Sequence, residues 1–147
     1  MTFENQSTQY LQYIHEYALP VVYVASGNES SISTFAKATF PTPVVTKASL
    51  LAGKDLALLQ SLSWDVQGEV DHLVLLRCSR FLGMTDSSFS WAVAVARRAN
   101  TSTDGTCDTW RKGVAEVAPE EGLALKDNFS VIIGPPSRLH LVSRIWP

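Results

Sequence analysis

Phe89, Trp91, Val93 and Val95 alternate with Ser90, Ala92, Ala94 and Ala96, and Leu139, Leu141, Ser143 and Ile145 alternate with His140, Val142, Arg144 and Trp146. Successive side chains of a pleated strand point to opposite faces, so a two-residue rhythm predicts strands. No other feature limits the architecture as much. On the Phe89 stretch one face is bulky and the other is Ser and Ala, which predicts that both faces are covered, one of them at close range.

Other segments extend the pattern. Val21 to Ala25 is a run of strand formers ended by the turn residues Ser26-Gly27-Asn28. Ile32 to Phe40, bounded by Pro41 and Pro43, reads as an edge strand, and Val44 to Leu51 as another, closed by Gly53. Strands are also expected at Val70–Phe81, which follows the Gly68 break, at Thr109–Val117 and at Phe129–Ile133. Thr8 to Tyr17 fits a short helix or an extended arm, and Leu56 to Val66 fits a helix or a strand. Together these predict a mainly β chain: an antiparallel β-sandwich or jelly roll with at most one or two short helices. Residues 1–147 would form a single β-sandwich domain, with residues 1–20 as a candidate N-terminal arm.

With 46% hydrophobic and 18% charged residues, the chain can bury a core and is neither disordered nor collagen-like. Its longest apolar runs, such as Leu73–Leu76 and Trp91–Ala96, fall short of the roughly 18 residues of a membrane span. Met1 to Gln12 is polar and shows no basic-then-apolar leader pattern. The formal charge of −2 excludes a surface that is basic throughout, but all seven arginines lie after Leu73. Arg77, Arg97, Arg98 and Arg138, with Arg80 and Arg144, fall in or beside expected strands and are the candidates for an anionic-partner or RNA-binding patch. The competing reading scatters them over a solvated face.

No catalytic residue, metal ligand or cofactor is assigned. His15, His72 and His140 stand apart without metal-ligand spacing, and Asp71-His72 would point to opposite faces of a strand. Gly-x-Ser-x-Gly and the phosphate-cradling glycine motifs are absent. Cys78, in an apolar segment, and Cys107, in a polar one, are candidates for a disulfide or for two free thiols. All four asparagines, Asn5, Asn28, Asn100 and Asn128, begin Asn-x-Ser, although Ser and Thr together fill only 27 of 147 positions. They are candidate glycosylation sites; the alternative is that Asn and Ser cluster because both build turns.

The stretch Phe89–Ala96 and the segment Phe129–Ile145 with its Gly134-Pro135-Pro136 connection resemble the single jelly-roll coat or surface domains of small RNA viruses. The resemblance is one of pattern over the last two-thirds of the chain. It implies a non-enzymatic structural protein that acts by self-association, a homo-oligomer or symmetric assembly, and a place in a virion. RNA is the further partner it suggests, yet residues 1–20 contain no Lys or Arg, so a basic packaging arm is missing. The alternative function is an extracellular, glycosylated β-sandwich binding module.

Overall fold

The computed structural model describes residues 3–101, 123–126 and 130–133. Their elements run α1 (Phe3–Glu16), β1 (Val22–Tyr23), α2 (Glu29–Ala38), β2 (Val44–Val45), α3 (Gly53–Ser61), α4 (Trp64–Arg77), β3 (Phe81–Met84), α5 (Ser88–Thr101), β4 (Leu123–Lys126) and β5 (Ser130–Ile133). Five helices and strands of two to four residues replace the expected antiparallel sandwich or jelly roll. The chain divides into two compact units, residues 1–74 and 75–147.

In the first unit β1 and β2 pair in parallel, Val22 with Val44 and Tyr23 with Val45, and α2 forms the crossover between them. Parallel neighbours require such a connection, which is why Ile32–Phe40 is helical and not an edge strand. Asn28 starts the helix: its backbone is extended, and its Oδ1 accepts from the Ser31 amide at 3.0 Å. Pro41 and Pro43 lie just beyond the C-cap, Thr39. α1 packs on α2, with the rings of Tyr10 and Phe35 edge to face at 6.2 Å, and Ile14 and Phe35 are buried.

α4 corrects the strand expected at Val70–Phe81. Its buried residues are Asp71 and Leu75, spaced i, i+4, while Glu69, Leu73 and Arg77 are exposed. The spacing is helical, but one of the two buried positions is a carboxylate, which hides it from a hydrophobicity reading.

In the second unit β5 lies between β3 and β4, parallel to β3 and antiparallel to β4. α5 packs on β3 and β5. The Phe89–Ala96 stretch is therefore a helix, and its buried positions Ser90, Val93, Ala94 and Arg97 follow helical spacing. The two covered strand faces expected here are not found, since Phe89 is exposed and Ala92 and Ala96 are half-buried; the close approach that exists is on the helix at Ser90. A Cβ on Gly83 would lie 2.7 Å from Ser90 Cβ, 2.8 Å from Ile132 Cδ1 and 2.9 Å from Phe81 Cε1. Gly83→Ala should therefore cost about 1–3 kcal/mol in urea unfolding. Gly68→Ala, in α4 with open space around it, should stabilise by about 0.5–1 kcal/mol. Equal effects at the two glycines would refute this packing.

Candidate functional site

β3 continues one hydrogen bond past its last strand residue, with the Thr85 amide donating to Ile133 O at 2.9 Å. The chain then turns sharply: Ser87 N donates to Met84 O at 3.2 Å. Ser87 caps α5, its Oγ accepting from Ser90 N at 3.1 Å and its carbonyl from Trp91 N at 3.2 Å. The Trp91 indole reaches back to donate to Thr85 O at 3.1 Å, which fixes the turn against the helix. Thr85 is 1% exposed, and its Oγ1 is buried without a hydrogen-bond partner. Asp86 and Ser88 are exposed.

This arrangement collects polar groups at one place. The first amides of a helix have no intrahelical acceptor and carry the positive end of its dipole. α5 is 14 residues long and begins directly after the carboxyl end of a strand in a parallel pair. Such ends are where open α/β sheets bind ligands. A buried hydroxyl with no partner costs on the order of 1–3 kcal/mol, so Thr85 is poised to gain by meeting one.

A second polar cluster lies in the first unit. Tyr23, at the end of β1, donates its hydroxyl to Asp71 Oδ1 at 2.6 Å, and Lys47, two residues beyond β2, donates its Nζ to Asp71 Oδ2 at 2.5 Å. Asp71 is 7% exposed and both its oxygens are engaged, so the cluster ties β1, the loop after β2 and α4 together. Burial, then the hydrogen bond to Asp71 and its charge, push the Tyr23 hydroxyl far above the usual tyrosine range, and burial pushes Tyr10 up to about 12. Both tyrosines stay neutral in the folded unit at pH values where the unfolded chain ionises. The stability they contribute is whole below about pH 10 and is lost as pH rises from there through about 12. In a chain with Tyr13 and Tyr17 replaced by Phe, alkaline titration followed by tyrosinate absorbance should show ionisation coinciding with unfolding of the first unit; Tyr10 or Tyr23 ionising near pH 10 in the folded chain would contradict it.

The arginine candidates whose side chains are described, Arg77, Arg80 and Arg97, differ in exposure. Arg97 is 6% exposed and turned inward, Arg77 and Arg80 are exposed, and Arg98 is placed by its backbone on α5. Arg138 and Arg144 lie outside the described residues. The Arg97 guanidinium donates through Nη1 to Leu75 O at 2.8 Å and Cys78 O at 2.7 Å, and through Nε to Ser130 Oγ at 3.2 Å. It closes the C-terminal end of α4, whose last carbonyls have no partner within the helix. Cys78 is a free thiol whose Sγ lies 3.0 Å from Leu75 O and 2.9 Å from Arg80 O, and burial pushes its pKa up, partly offset by Arg97. Cys107 is outside the described residues.

Of the four sequons, Asn5 and Asn100 sit within α1 and α5, Asn28 lies on the loop before α2, and Asn128 is outside the described residues. His15 is exposed at the end of α1, His72 faces Glu69 at 3.4 Å, and His140 is outside the described residues. Among the described residues no group of three or more His, Cys, Asp or Glu is placed to hold a metal, and no helix is long and apolar enough to cross a membrane.

Reading by motif missed Thr85, Ser87 and Ser88 because no glycine-rich signature marks them. The available signal was the order of residue types: apolar residues, then Thr-Asp-Ser-Ser, then an Ala-rich stretch. Comparison with known proteins finds no matching family model, no matching curated protein and no matching solved structure.

Proposed function

We propose that this chain is a ligand-binding protein whose second unit holds a phosphate ester of a sugar, such as a nucleotide, at the turn from Thr85 to Ser88. The observation that carries the reading is the buried, unpartnered Thr85 hydroxyl beneath the start of α5, at the carboxyl end of the parallel strand β3. A helix start of this kind favours an anionic group. Asp86 stands exposed on the same turn. Its carboxylate repels a bare phosphate and accepts hydrogen bonds from hydroxyls, and a sugar phosphate supplies both groups. The described residues offer no extended pleated face for coat-protein-like self-association, and Arg97 is occupied inside the second unit.

Titration calorimetry with inorganic phosphate, a ribonucleoside diphosphate and the neutral nucleoside tests this. The diphosphate should bind most tightly. Thr85→Val should weaken it about tenfold, the value of one hydrogen bond to a charged group. In the ligand-free protein the same substitution should raise stability by about 1–2 kcal/mol, because it removes an unsatisfied buried hydroxyl while keeping the volume. No binding by any of the three compounds, or unchanged affinity in Thr85→Val, would overturn the reading.

A further inference from the structure

We propose that Asn28 is the acceptor of an N-linked glycan. Every asparagine in the chain begins Asn-x-Ser, but the fold distinguishes them. A transferase must reach the asparagine amide and the hydroxyl two residues on at the same time. On a helix, residues i and i+2 lie on nearly opposite sides. Asn5 and Ser7 are both positions of α1, where i and i+2 fall on different sides of the helix, and Asn100 is a position of α5. Asn28 is outside any helix or strand, with φ −103° and ψ 95°, and Ser30 Oγ lies 3.0 Å from its Oδ1. Asn28, Glu29 and Ser30 are all exposed.

The cap at the start of α2 tolerates the modification. The acceptor for Ser31 N and Ser30 Oγ is Oδ1, whereas a glycan attaches through Nδ2. In the transfer, Asn28 Nδ2 forms a bond to the anomeric carbon of an oligosaccharide carried on a lipid diphosphate. The bond from that carbon to the diphosphate oxygen breaks, the lipid diphosphate leaves with the electron pair, and the amide gives up one proton. The product is still an amide whose oxygen caps the helix.

The test is expression of the full chain behind a cleavable secretion leader in a eukaryotic host. Peptides from the total secretory membrane and medium fractions are treated with peptide N-glycosidase in heavy-oxygen water, so a poorly folding variant is still read. The Asn28 peptide is expected to take up the label, with Asn converted to Asp. Ser30→Ala should abolish that label while leaving the Asn28 cap on Ser31 N, and Ser30→Thr should retain it. An unlabelled Asn28 peptide in the translocated wild-type chain, or label confined to Asn5, Asn100 or Asn128, would overturn the proposal. Sugar-phosphate binding by the second unit is measured separately and does not depend on this result.

Discussion

Arg97→Ala is expected to destabilise the second unit by about 2–4 kcal/mol, the combined cost of buried acceptors left without their donor and of lost packing. The substitution removes a guanidinium that satisfies the carbonyls of Leu75 and Cys78 at 2.8 and 2.7 Å and joins them to Ser130 on β5. Loss of the guanidinium donor at Cys78 O costs about 1–3 kcal/mol, while Leu75 O keeps the Cys78 thiol at 3.0 Å. The lost side chain also leaves a void beside Leu75 and Ser130, which are 8% and 1% exposed. Arg97→Lys should recover part of the loss, since an ammonium can reach one or two acceptors but not hold the fork. Amide exchange separates the units and makes the measurement clean: protection should fall in α5, β3 and β5 and persist in α1 and α2. A loss below about 1 kcal/mol would mean that water replaces the guanidinium without penalty.

Asp71→Ala should cost the first unit about 2–4 kcal/mol. It removes the shared acceptor of Tyr23 and Lys47, and the side chain of Lys47 is only 20% exposed, so its ammonium must find water at the expense of packing. Asp71→Asn keeps the shape and the acceptor for Tyr23 but loses the charge that Lys47 meets, and should fall between alanine and wild type. Double substitution at Asp71 and Lys47 should cost less than the sum of the two single changes, because each single change strands the other partner. Additive losses would show that the pair is not coupled. The same cluster sets the alkaline limit of the unit through Tyr23.

What the sequence conveys about this fold is uneven, and the reason is physical. The turn at Ser26-Gly27-Asn28 and a strand within Val21–Ala25, observed as the two residues Val22–Tyr23, were legible from backbone preferences alone. α5 was not, because its apolar residues alternate while its burial follows Ser90, Val93, Ala94 and Arg97. Two of those four are polar, so a hydrophobicity rhythm reports the wrong face. The three alanines at 92, 94 and 96 were the counter-signal, since alanine favours helices and is depleted in strands. α4 misled in the same way, with Asp71 as one of its two buried positions. In each helix one buried polar residue, Asp71 in α4 and Arg97 in α5, makes long-range bonds and breaks the hydrophobic pattern.

The candidate site was hidden for another reason. Ser87 was recognisable as a cap only once Ser88 was known to start a helix, and Thr85 becomes notable only when its burial is seen.

The guanidinium that closes α4 has a consequence for synthesis. Leu75 leaves the ribosome 22 residues ahead of Arg97, and Ser130 follows 33 residues after it. The end of α4 therefore frays on the nascent chain until α5 arrives, and α5 in turn waits for β5 before its cation is enclosed. A ribosome stalled within that interval would expose a segment whose carbonyls still await this donor, fit for chaperones or proteases.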